Sequence, residues 1–331
     1  MRAVVAPDKF RGTASASEAA AALAAPLREL GVEVDEVPLA DGGEGLLDAL
    51  GGANRRTQVS GPLGEPVDAG WRFDGRTAVI EMARASGLEL AGGARHNDAV
   101  AASTRGTGEL IVAALEAGAR RIVVGVGGSA TTDGGLGAVE VVPPARLRGV
   151  EVVVACDVRL GFVDAAEVFA PQKGASPSQV ALLRRRLDRL VELYRERFGV
   201  DVADLAFAGA AGGLAGGLAA LGARLESGFE LVADEVRLAD RLEGADLVVT
   251  GEGYLDAESF DGKVVGGVAE LAAAAGVPLL VVVGDRDPGV GEDLDVVALV
   301  ERFGREAATG DTERCLREAV TAWAAGRSFG P

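Results

Sequence analysis

Five glycine-rich loops punctuate the chain: APDKFRGT (6–13), ADGGEG (40–45), GVGGSATTDGG (125–135), GAAGGLAGG (209–217) and TGEGYLD (250–256). Each follows an apolar run or adjoins the start of a helix. Glycine costs backbone entropy wherever it is ordered, so this density marks places where the chain turns sharply or approaches something closely. Short, continuous apolar runs that end in such loops predict strands of a parallel sheet covered on both faces. The loops at the carboxyl ends of those strands then converge on one crevice. The stretch 123–135 holds five glycines among thirteen residues, and a ligand that needs access to the main chain is the expected reason.

The chain opens as strand, helix, strand. RAVVAP is followed by a helix headed by a capping box of Ser15 and Glu18, kinked at Pro26 and stopped at Gly31 before VEVDEVPL. WRFDGRTAVIEM alternates about Asp74-Gly75, which predicts an antiparallel hairpin and makes the centre of the chain mixed. Residues 106–118 form a helix before the strand RRIVVGV, VEVVVACDV is a further strand, and 177–198 is a long amphipathic helix whose arginine run is a solvated face. After residue 246 the apolar runs DLVVTGEG, VPLLVVVGD and DVVALV return to the parallel pattern, closed by a helix over 311–325. The fold class expected is α/β in two domains: a discontinuous Rossmann-like parallel-sheet domain over 1–56 and 238–331, and an inserted mixed α/β domain over 57–237. A cleft between them is the expected place for an active site.

Composition removes several functions. A net charge of −17 argues against nucleic acid or an anionic membrane as partner. No apolar run reaches bilayer length and the start MRAVVAPDKF lacks the pattern of a signal peptide, so a cytoplasmic protein is expected. Two distant cysteines, Cys156 and Cys315, and the single histidine His96, which reads as an exposed loop residue, give little material for a His/Cys metal site or a histidine-based triad. An amphipathic helix or an exposed apolar edge is compatible with a homodimer.

Chemistry therefore falls to carboxylates, hydroxyls, basic side chains and amides. Only three lysines occur, Lys9, Lys173 and Lys263, each in or beside a glycine loop, where a compact point charge suits phosphate better than a rigid fork. The loops also carry Asp8, Asp41 with Glu44, Asp133, and Glu252 with Asp256, oxygen donors suited to Mg²⁺. Asp41 or Asp133 beside glycine is equally the pattern of a turn or cap residue, and GAAGGLAGG that of close helix packing. A P-loop is absent, since Val264 follows Lys263 where Ser or Thr is required. Gly125, Gly127 and Ala130 fit the dinucleotide pattern G-x-G-x-x-A, but the ribose-binding acid has no clean candidate, which leaves an NAD-dependent oxidoreductase the weaker reading.

The runs APDKFRGTASASEAA, PLADGGEG, SGPLGEPV, VIEMARASGL, GTGELI, GVGGSATTDGG, ACDV, FAPQKGA, GAAGGLAGGL and VTGEG occur in this order, and the series resembles the bacterial glycerate kinase family. The resemblance implies two α/β domains and transfer of a phosphoryl group from ATP, with Mg²⁺, to glycerate, giving 2-phosphoglycerate. It makes GVGGSATTDGG an anion-binding loop, with Gly127, Gly128, Ser129 and Thr131 meeting phosphate or the substrate carboxylate. Asp41 and Asp133 become candidates for Mg²⁺ or hydroxyl contact, and Lys9 and Lys173 for phosphate neutralisation. Asp8, Arg11, Gly42, Gly43, Glu44, Glu252, Asp256 and Lys263 complete the candidate site. Arg11, Arg105, Thr132 and Tyr254 depart from the family's usual residues, and VVPPARLR replaces a longer segment after Asp133. A catalytically weakened member that binds nucleotide or a related hydroxy acid is the alternative these departures raise. Exchanging Lys9 or Lys173 for arginine is expected to lower kcat/KM in a phosphoryl-transfer assay, because a longer planar group displaces the phosphates, while alanine at most arginines of 184–197 should do much less.

Overall fold

The computed structural model describes residues 1–325 and 327. It comprises two compact units, one of residues 1–41, 48–50 and from 229 on, the other of residues 42–47 and 51–228. The chain starts in the first unit with β1 (Arg2–Val5) and β2 (Glu33–Glu36), paired in parallel across the helix Ala16–Glu29. That helix begins at the expected capping box, in which Glu18 N donates to Ser15 Oγ and Ser15 N to Glu18 Oε2. Pro26 does not interrupt it. The helix runs on to Glu29 with Pro26 and Leu27 buried, so a proline this near the end removes only one donor.

The second unit is built on a six-stranded sheet in chain order. β3 (Arg55–Ser60) and β4 (Pro66–Phe73) form a hairpin, and β4 pairs antiparallel with β5 (Thr77–Glu81) about the expected Asp74-Gly75 turn. From β5 the sheet is parallel through β6 (Arg121–Gly125), β7 (Glu151–Cys156) and β8 (Arg224–Ser227). Two prolines break the β6–β7 connection into a helix Leu136–Val141 and a 3₁₀ turn Pro144–Leu147. GAAGGLAGG is half turn and half helix: Ala211, Gly212 and Gly213 have positive φ, and Leu214 to Ala220 continue as helix.

Four of the five glycines of 125–135 are required where the chain packs on itself. A Cβ on Gly127 would lie 2.4 Å from the Gly43 Cα, and one on Gly125 2.7 Å from the Gly42 carbonyl oxygen. Gly134 faces Leu190, Leu187 and Phe162, and Gly135 packs on Leu214 and Gly217. The loop is thus a junction where three segments meet backbone to backbone. Nor does it open a helix as a dinucleotide loop must, since Ala130 N donates to Ser86 O and the next helix waits until Leu136.

The chain returns to the first unit with β9 (Leu247–Leu255), β10 (Leu279–Arg286) and β11 (Asp295–Ala298), giving a parallel sheet of order β11-β10-β9-β1-β2. The run TGEGYLD, expected as a loop, is the second half of β9 and pairs with β10 as far as Leu255. Glycine reads as a loop signal, but here Gly251 lets the Val282 carbonyl approach to 1.9 Å of where a Cβ would stand. Among the described residues no helix is long and apolar enough to cross a membrane. Gly127→Ala should destabilise the protein by ~1–3 kcal/mol through overpacking against backbone. Gly310→Ala, in a helix with open space around it, should stabilise by ~0.4–1 kcal/mol. Urea unfolding of the two variants against the parent checks both signs.

Candidate active site

Connections diverge at the β1–β9 pair: the helix after β1 leads to β2 on one side, and the helix Val264–Ala275 after β9 leads to β10 on the other. Such a switch point leaves a crevice at the carboxyl ends of the two strands. Their ends are held together by Asp8 N donating to Gly251 O (2.8 Å) and Thr250 Oγ1 to Ala6 O (2.7 Å). A cavity of about 320 Å³ opens there, and Asp8, Lys9, Arg11, Asp41, Glu252, Asp256 and Lys263 all line it. Seven of the residues singled out from sequence therefore share one cavity within the first unit.

Its charges are poorly solvated. Lys9 Nζ stands 3.6 Å from both Asp8 and Asp41. Burial raises the Asp8 carboxyl to about 6, Lys9 opposing and Asp41 assisting the shift. Burial likewise raises Glu252 to about 7, against a hydrogen bond from Ser259 and with the charge of Asp8 adding to it. Glu252 is 9% exposed, and its buried Oε1 has no hydrogen-bond partner among the described residues. Asp256 is chiefly a cap: its Oδ1 accepts from Ser259 N (3.0 Å) and Ser259 Oγ (3.3 Å). Lys263 pairs with Glu258, and Tyr254 is exposed with its hydroxyl donating to Asp287.

Among the described residues no three His, Cys, Asp or Glu side chains form a ready cage for a metal ion. Magnesium needs none, since it is commonly held by one or two carboxylates with substrate phosphates and water. Asp8 and Asp41 are hard oxygen donors of that kind, and a carboxyl pushed upward by burial and a like charge is relieved by a cation. The residues fit the ion.

The remaining candidates lie in the second unit, near the carboxyl ends of β5 to β7. Gly42 and Gly43 pack on β7 and the 125–128 segment, with Glu44 beside Gly128. Sequence reading missed what fixes this segment. Glu81, 2% exposed at the end of β5, accepts from Gly45 N and Leu47 N at 2.9 Å each and from Arg84 Nε. An acid closing the apolar run VIE was the available signal. Thr104 was missed as well: its N and Oγ1 both donate to Asp133 Oδ2 at 2.8 Å.

Asp133, a candidate for metal or hydroxyl contact, is the centre of that network. Its Oδ2 also accepts from Gly137 N and its Oδ1 from Gly135 N, so both oxygens bind the chain itself, as in the turn-or-cap reading. Lys173, a candidate for phosphate neutralisation, is 4% exposed, with Nζ donating to Ser129 Oγ (2.6 Å) and Thr131 O (2.7 Å), so it holds the loop from within.

A parallel-sheet unit with a lysine set between carboxylates at its switch point is that of an α/β protein binding a small charged ligand. The glycerate kinase family's sequence pattern matches residues 3–143 and 142–324, and the chain belongs to that family. It is 40% identical over 332 residues to the glycerate 2-kinase of Escherichia coli K12, covering 88% of this chain and 87% of the relative. It is 40% identical to the glycerate kinase of Bacillus subtilis 168, covering 86% and 85%. A solved structure of a candidate glycerate kinase 2 from Salmonella typhimurium LT2 superposes with a TM-score of 0.84 at 36% identity, covering 98% of each chain.

Because Glu252 is raised in the folded protein, ionising it on the fold costs stability that the unfolded chain does not pay. Its favourable contribution is present below the ordinary carboxylate range and is lost as pH rises toward about 7. In EDTA, Glu252→Gln should therefore melt a few degrees above the parent at pH 8 and close to it at pH 4.5.

Proposed function

We propose that this protein transfers the γ-phosphoryl group of ATP to the 2-hydroxyl of glycerate, giving 2-phosphoglycerate and ADP, in the cytoplasm. The observation that carries the reading is the first-unit cavity, where Lys9 stands between two carboxylates and the buried, raised Glu252 lines the same space, in a chain of the glycerate kinase family. Phosphoryl transfer asks of a protein mainly positioning and charge neutralisation, which suits a site built without histidine or cysteine.

Magnesium, held by Asp8 and Asp41, would offset phosphate charge when bound. Lys9 supplies a fixed positive charge in the same wall, and its two carboxylate neighbours keep it from swinging away. The accepting 2-hydroxyl must give up its proton as its oxygen bonds to the transferred phosphorus and ADP leaves. Glu252, titrating near neutrality, is matched to accept it at the free Oε1. Arg11, Lys263 and Arg305 add positive charge around the rim for anionic substrates.

The test is ADP release coupled to a reporter, with D-glycerate and a panel of other hydroxy acids, and NMR of the phosphorylated product. Turnover with glycerate and phosphate on the 2-oxygen is expected; no turnover above background across the panel overturns the proposal. Lys9→Met should lower kcat/KM by about 100-fold or more, the size expected for removing a group that stabilises transition-state charge.

A further inference from the structure

Lys173 is an ammonium in a place that does not solvate one. It closes the short turn Pro171–Lys173, and Nζ has two oxygen partners, Ser129 Oγ and Thr131 O. Asn97 Nδ2 ties the same pieces together, donating to Lys173 O (2.8 Å) and Ala130 O (3.0 Å). The two partners of Nζ are not equivalent. A carbonyl oxygen can only accept, whereas a hydroxyl can accept or donate.

With three hydrogens and no lone pair, the ammonium obliges Ser129 Oγ to accept, which leaves the serine's own hydrogen for another partner. Among the described residues the structure gives that hydroxyl no second hydrogen bond. A neutral amine has a lone pair that can take this hydrogen back. The neutral amine keeps two hydrogens, so it can serve Thr131 O and still take the serine's hydrogen; only the ammonium fixes the direction of the 2.6 Å bond.

Resting on the kinase reading, we propose that Lys173 is a positioning residue: as the ammonium it makes the Ser129 hydroxyl a donor to an anionic substrate oxygen, carboxylate or phosphate, and on losing its proton it withdraws that donor. Burial brings the lysine down to about 7, with the negative charges of Asp133 and Asp157 pulling the other way. The Phe169 ring, 5.8 Å from Nζ, also favours the charged form. An anion at Ser129 favours the ammonium further, and by linkage the ammonium favours the anion by the same factor. The donor is fully present below about pH 7 and is lost as pH rises through it, so affinity falls by up to about tenfold per pH unit above that point.

Calorimetry on the full chain with glycerate, ATP with Mg²⁺ and inorganic sulfate, at pH 6 and pH 8.5, tests this. The wild type should bind at least one of these anions about tenfold or more tightly at pH 6 than at pH 8.5. Ser129→Ala should bind the same anion about tenfold more weakly at pH 6 and lose most of the pH dependence; comparing the two proteins cancels titration of the ligand itself. Lys173→Met should show the weak binding at both pH values. Because that variant removes a buried brace and its folding must be checked by circular dichroism, Ser129→Ala, which deletes one oxygen, carries the test.

A loss confined to glycerate identifies the carboxylate as partner, and one confined to ATP identifies the phosphate. Equal affinities of wild type and Ser129→Ala for all three anions at pH 6, or a pH dependence unchanged by the substitution, overturn the proposal. If the wild type fails to phosphorylate glycerate while Ser129→Ala weakens sulfate binding, the kinase reading falls and this one stands.

Discussion

Backbone meeting backbone is the constraint on which the second unit depends. The segment 42–47, the loop 125–135 and the turn at 211–213 lie so close that a methyl group on Gly127, Gly212 or Gly217 would stand 2.0–2.6 Å from main-chain atoms of a neighbour. At that range no rotamer change relieves the contact, so glycine is required by sterics. What the close approach achieves is to stack several strand ends and their polar groups in a small volume. Glu81, Asp133, Asn97 and Lys173 then satisfy main-chain donors and acceptors that would otherwise be stranded.

In both units the electrostatics follow one rule, that burial outweighs pairing. For Asp8, Glu252 and Asp133 desolvation is the largest influence and raises the carboxyl, although each has a hydrogen bond or a cation working against it. For Lys173 desolvation again leads and lowers the amine, against two negative charges. Three groups, Asp8, Glu252 and Lys173, are thereby brought to between about 6 and 7. Surface pairs such as Arg314 with Glu318 contribute little by comparison, being screened by solvent.

Local chemistry made much of this legible in advance. The capping box of Ser15 and Glu18, the Asp74-Gly75 turn and the helix over 177–198 are written in adjacent residues, and each stands where spacing put it. Membership of the cavity at β1 and β9 was also legible, because Asp8 and Lys9 follow the apolar strand β1, Asp41 follows β2, and Glu252 closes the apolar run of β9, all in one sheet. What stayed illegible has one cause. TGEGYLD reads as a loop and is strand as far as Leu255, and the glycines of 125–135 do not announce the backbone they pack on, since glycine signals that something comes close without saying what. That Lys173 and Asp133 bind the chain itself was illegible for the same reason: a charged side chain beside glycine carries no mark of whether solvent or protein surrounds it.

The strand order has a consequence for how the chain is made. β1 cannot complete its pairing until β9 exists, and the bond from Thr250 to Ala6 spans 244 residues. At a synthesis rate of about 5–20 residues per second, the apolar stretch Ala3–Ala6 waits roughly 12–50 seconds for its neighbour. All six strands of the second sheet emerge within that interval. The unit that contributes the earliest strands, β1 and β2, is therefore completed last, because the larger part of it follows residue 229, and Ala3–Ala6 stays without its β9 neighbour while the whole second sheet is made.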